Sequence, residues 1–161
     1  MTIRKTSEKD IPRLLVVFEE ARKIMRSTGN MQQWTGGYPS VEILMNDISR
    51  GVSYVMEEDG VIVGTFAFIV GQDPTYTKIY EGAWKEDIST YGTIHRLASL
   101  SDVHGIAQAC FDFCWDKVKN LRVDTHADNK LMQHVVTKYG FEYCGIIYLL
   151  DGNPRLAYQL I

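Results

Sequence analysis

The sequence predicts a single α/β domain, of the α+β kind, on a mixed sheet, and three observations carry that prediction. Asp59-Gly60 sits between two strand-like runs, 52–58 and 61–70, and an Asp-Gly pair in that setting signals a type I′ hairpin. Residues 93–148 then alternate strand-like and helix-like patterns, so residues 93–126 form a β-α-β unit with a right-handed parallel connection. Finally, 161 residues, 45% hydrophobic and 23% charged, suit one domain with a sizeable core.

The elements follow in order. Residues 2–5 (TIRK) read as a short strand. Ile11, Leu14, Leu15, Phe18, Ala21 and Met25 recur at helical spacing, with Pro12 suited to the first turn and Ser7 or Asp10 as the cap. Residues 29–40 read as a loop broken by Gly36, Gly37 and Pro39, and a short helix begins after Ser40. Residues 71–91 are expected to be a long connection with one short strand near 77–80. A strand at 93–100 leads into a helix over 104–118, and a strand at 121–126 into a helix over 129–139. Asp128 or Asn129 caps the last helix and Gly140 stops it. Two final strands, 141–150 and 155–161, meet at a turn over 151–154. Hairpins in the middle and at the end make the sheet mostly antiparallel, with about four flanking helices over one domain, 1–161.

Composition narrows the function classes. No apolar run of about 18 residues is present, so no membrane span and no membrane partner are expected. The N-terminal MTIRKTSEKDIPRLL carries charges where a signal peptide needs an apolar core, so the expected compartment is the cytoplasm. A net charge of −3 argues against a nucleic-acid partner. Three cysteines suit buried apolar positions rather than a disulfide framework, and four scattered histidines predict no metal site.

The chemistry-bearing segment is the turn after residues 93–100. Gly105 and Ala107 are small enough to admit a close backbone or ligand, and a helix starting there exposes unpaired N–H groups to a phosphate. Taken alone, the turn suits a ligand-free strand-to-helix connection equally well. Asn129 opens the next helix and Tyr139 ends it before a Gly-Phe stop; alone they read as a cap and a packed ring.

The N-terminal IRKTSEKDIPRLLVVFEEAR, the hairpin end VIVGTFAF, the strand TIHRLASL, the turn HGIAQA and the stretch LRVDTHADNKLMQHVVTKYGFEYCGIIYL together resemble the GNAT superfamily of N-acetyltransferases. The resemblance spans nearly the whole chain. It implies a GNAT-like fold in which two parallel strands splay apart around acetyl-CoA. It implies that backbone groups of Leu97, Ala98 and Ser99 pair with the pantetheine arm. Val103, His104, Gly105, Ile106, Ala107 and Gln108 would hold the diphosphate. Asn129 matches the position that bonds the cofactor arm, and Tyr139 the tyrosine that protonates the departing thiolate. One departure stands out: Asp102 occupies the place where the family turn carries Gln or Arg.

Acyl transfer to a primary amine, whose pKa is about 10, needs a base. Glu81 or His95 is the candidate, while Trp34, Tyr38 and Trp84 are candidates to line the acceptor pocket. Members often pair as homodimers, and the strand-rich C-terminus offers an edge. Two function classes compete: an acetyl-CoA-dependent N-acetyltransferase acting on an amine of a small molecule or peptide, and a module that binds acyl-CoA without catalysis. A nucleotide-binding α/β protein of another kind wants a Gly-rich turn after the first strand, and Lys5-Thr6-Ser7-Glu8 provides none.

Overall fold

The computed structural model describes all 161 residues. Seven strands form one sheet: β1 (Thr2–Lys5), β2 (Ser53–Glu58), β3 (Val61–Val70), β4 (Gly92–Ser99), β5 (Leu121–Thr125), β6 (Glu142–Tyr148) and β7 (Pro154–Leu160). Their order is β1-β2-β3-β4-β5-β7-β6, with every neighbouring pair antiparallel except β4 and β5. Four helices flank it: α1 (Ile11–Ser27), α2 (Val41–Ser49), α3 (Ile106–Lys117) and α4 (Lys130–Tyr139). The α/β class, the mostly antiparallel sheet, the parallel pair and the helix count agree with the sequence reading.

Local chemistry explains the element ends. Asp59 and Gly60 both have positive φ, 52° and 78°, as a type I′ turn requires. The Ser40 side chain accepts from the Ile43 N–H to cap α2, and Asn129 accepts from the Met132 N–H to cap α4. Pro12 lies in the first turn of α1, where its missing N–H costs nothing.

Alternation along the strands sorts the core into two faces. Phe66, Ile94, Leu121 and Val123 meet Ile106, Cys110 and Phe111 of α3 and Val136 of α4. On the other face Val55, Ile62 and Ala98 meet Leu14, Val17 and Phe18 of α1 and Leu44 of α2. Toward β6 no helix covers this second face. The segment 71–91 covers it instead, packing Tyr76, Trp84 and Tyr91 on Cys144, Ile147 and Ala157.

That segment differs from expectation. The strand expected near 77–80 is a single bridge, Tyr80 to Ile146, preceded by a 3-10 turn over Pro74–Tyr76. Glu81 takes φ 55°, which breaks the extended run directly after Tyr80, and the chain then lies close on β6, where a Cβ on Gly82 would fall 1.9 Å from the Cys144 oxygen.

Candidate active site

β4 and β5 pair only at Gly92 with Leu121 and Thr93 with Arg122, then part. Beyond Thr93 the facing edges carry backbone N–H and C=O groups with no ladder partner across the gap, and polar groups there are available to a ligand. The gap opens as a cavity of about 600 Å³ lined by Ile94, His95, Arg96 and Leu97 of β4 and Val123, Asp124 and Thr125 of β5. Phe111, Asn129, Met132 and Val136 wall one side; Gln33, Trp34 and Tyr38 wall another. The Thr125 hydroxyl, on this wall, is buried without a partner.

β4 bulges at the cleft. Its register against β3 shifts between Thr65–Ala98 and Ala67–His95, and Arg96 takes φ 55°. Trp34, facing the same space, also has φ 55°. The left-handed region costs a non-glycine residue about 1–2 kcal/mol, so two such residues on one cavity mark a site whose shape is held by its surroundings.

The surroundings are explicit for Arg96. Its guanidinium donates to both carboxylate oxygens of Asp47 at 2.8 Å and to the Tyr38 hydroxyl at 3.0 Å. Burial works against this cation, but Tyr38 and Asp47 outweigh it and raise its pKa. Next to it on β4, His95 Nε2 lies 3.0 Å from Asp73 Oδ2. Burial pushes the Asp73 carboxyl up, but bonds from His95 and Thr75 outweigh that and hold it down at about 2. Tyr76 is buried and donates to Asp124 at 2.6 Å. Burial first, then the Asp124 carboxylate, pushes its pKa well above 10.

The structure brings some of the sequence-predicted residues together and separates others. His95, Leu97, Asn129, Trp34 and Tyr38 line the cleft. Ala98 and Ser99 continue β4 past it, with Ala98 packed under α1. The turn over 103–108 follows the open end of β4. Gly105 caps α3 at φ 81°, a conformation that favours glycine.

Three residues lie elsewhere. Tyr139 does not line the cleft: it sits one turn beyond Val136, and its hydroxyl donates to Asp112 on α3 at 2.5 Å. Helix length gives the reason: Met132, Val136 and Tyr139 share one stripe of α4, but Tyr139 stands one turn further along it, past the cavity and against Phe111 of α3. Glu81 is exposed, with φ 55° and no side-chain partner on the cleft. Trp84 is buried under the 71–91 segment, where its indole N–H donates to the Tyr76 carbonyl at 3.0 Å.

Asp73, Arg96 and Gln33 were missed by sequence reading. Each is an ordinary polar residue in the chain, and only packing sets it on the cleft. No group of three or more His, Cys, Asp or Glu side chains is placed to hold a metal ion. No helix is long and apolar enough to cross a membrane.

The fold as a whole is also found in solved structures. A GNAT-family acetyltransferase from Streptococcus agalactiae superposes with a TM-score of 0.90 at 37% identity, over 99% of this chain and 94% of that one. The chain belongs to the GNAT family of acetyltransferases. A GNAT-family acetyltransferase from Listeria monocytogenes (TM-score 0.71, 18% identity, 98% and 92% covered) shares the fold. So does a ribosomal-protein-alanine N-acetyltransferase from Brucella melitensis (TM-score 0.63, 20% identity, 100% and 99% covered). The chain matches no protein-family model, and no curated protein is significantly similar to it.

Proposed function

We propose that this GNAT protein transfers an acetyl group from acetyl-CoA to a primary amine of a small molecule or peptide, by direct attack in a ternary complex. The observation that supports this most is the His95–Asp73 pair opening onto the gap between β4 and β5. The residues present fit the co-substrate. The β4 edge offers backbone groups, and the start of α3, relieved of strain by Gly105, offers N–H groups to a diphosphate. Acetyl-CoA, when bound, supplies an activated acyl thioester.

The protein's own residues do the rest. Asp73 holds the proton of His95 on Nε2, which leaves Nδ1 with a lone pair for the incoming ammonium. Removing that proton makes the amine nucleophilic near neutral pH. Backbone N–H groups at the Arg96 bulge can stabilise charge on the acyl carbonyl, and the Asp47–Tyr38–Arg96 network holds that bulge in place. Trp34 and Tyr38 supply an aromatic wall for the acceptor. The compartment in this reading is the cytoplasm. A homodimer would use the outer edge of β6 beyond the Tyr80 bridge.

One observation favours the second reading, an acyl-CoA-binding module without catalysis: Tyr139 lies past the cleft, with its hydroxyl bonded to Asp112. Titration calorimetry with acetyl-CoA, against CoA and ATP, followed by thiol release over an amine panel, separates the two. The expected result is micromolar acetyl-CoA binding, far tighter than ATP, with turnover lowered roughly 100-fold in His95→Gln at unchanged acetyl-CoA affinity. Binding without thiol release on any amine would support the module; no binding of either CoA species would reject both.

A further inference from the structure

Three side-chain amides join the 28–40 loop to the start of α4. Asn30 Nδ2 donates to Gln33 Oε1 at 2.8 Å, and Asn129 Nδ2 donates to the same oxygen at 3.0 Å. Asn30 is wholly buried, and Gln33 and Asn129 are more than nine-tenths buried.

The polarity of this chain follows from one backbone group. The Met132 N–H can only donate, and it lies 3.0 Å from the Asn129 amide, so the atom facing it is Oδ1. The other end of Asn129 is therefore Nδ2, a donor, and the atom opposite must be the Gln33 oxygen. That oxygen in turn sets the donor end of Asn30 toward Gln33. Flipping any one of the three amides would bring donor against donor or acceptor against acceptor. The cost of this arrangement is visible as the buried, unpartnered Asn30 Oδ1.

One atom is left over. With Oε1 shared by two donors, Gln33 Nε2 has no partner in the protein, and Gln33 lines the cleft. Gln33 lines the cavity beside Asn129, and its Nε2 is not sealed from solvent as Asn30 Oδ1 is. A neutral amide N–H in a recess of this kind is matched by a carbonyl oxygen.

We propose that Gln33 fixes the orientation of Asn129 and presents its own amide N–H to a carbonyl oxygen of the bound ligand. This rests on the acyl-CoA reading above. The carbonyl comes from an amide of the pantetheine arm or from the amine acceptor, and the two sources are separable. Through Oε1 Gln33 is a positioning residue; through Nε2 it is a ligand contact.

Two variants divide those roles. Gln33→Glu keeps oxygens for Asn30 and Asn129 but loses the donor; Gln33→Leu loses both. In the full chain, Gln33→Glu should weaken the ligand roughly tenfold and lower the thermal midpoint, because its carboxylate is more than nine-tenths buried. Gln33→Leu should weaken it at least as much and lower the midpoint as well. A tenfold fall in CoA affinity by calorimetry assigns the carbonyl to the pantetheine arm. A tenfold rise in KM for the amine at unchanged CoA affinity assigns it to the acceptor. Wild-type values for Gln33→Glu in both measurements would overturn the proposal while leaving the acyl-CoA reading intact. Failure of the wild-type chain to bind CoA would overturn that reading and this inference with it.

Discussion

Two irregular, aromatic-rich segments, 28–40 and 71–91, look alike in composition and are used in opposite ways. In 71–91 the side chains are the anchor. Tyr76, Trp84 and Tyr91 turn inward, and the Arg122 guanidinium is held between the Trp84 and Tyr91 rings at 3.9 and 3.8 Å. Asp87 and the Glu86 carbonyl take bonds from the same guanidinium. In 28–40 the backbone is the anchor. Arg26 donates to the Asn30 and Trp34 carbonyls, and Arg22 donates to the Tyr38 carbonyl. With its carbonyls held from α1, this loop can turn Gln33, Trp34 and Tyr38 to the cleft. The part of a loop that is tied down decides which part is free for a ligand, and aromatic content does not reveal that.

The comparison breaks most readily at Trp84. Trp84→Ala removes one face of the Arg122 sandwich and leaves a cavity, so stability should fall by about 3–5 kcal/mol in urea denaturation. Trp34→Ala should show the smaller stability loss and the larger rise in KM for the amine; the reverse pattern would mean that the two loops have exchanged roles. Asp73 is the exception within 71–91, because it faces the cleft. Its carboxyl is held at about 2, below the ordinary 3.8. Its contribution is therefore complete above the unfolded value, near pH 4, and lost as pH falls toward 2. Asp73→Asn should cost roughly 1 kcal/mol at pH 7, after allowance for solvent screening, and flatten the wild-type loss of stability between pH 4 and 2. The smallest effects belong to residues off the cleft. Glu81→Gln and Tyr139→Phe should each change turnover less than about twofold, since neither side chain reaches the cavity. A large fall in turnover for Tyr139→Phe would return that hydroxyl to the mechanism.

Much of the architecture was legible from the chain because it is written in short-range patterns. The Asp59-Gly60 turn, the Pro12 start, the Asn129 cap and the Gly140 stop each act within about four residues, and each stands where expected. The site was legible only in part. Trp34, Tyr38, His95 and Asn129 do meet at one cavity. Tyr139 and Trp84 lie off that cavity, because adjacency to a motif does not fix position: one further turn of helix sets the first beside Asp112, and the second stacks on the buried Arg122 guanidinium.

By itself, then, the sequence determined the order and kind of the elements, the single mixed sheet and the β4-turn-α3 unit, since local dihedral preference and apolar periodicity suffice for these. Only the tertiary structure decided where β4 leaves β5, that Asp73 faces His95, and that Gln33 reaches Asn129 with one N–H to spare. Those pairs lie 22 and 96 residues apart in the chain, and what joins them is the packing of buried polar groups that must find partners.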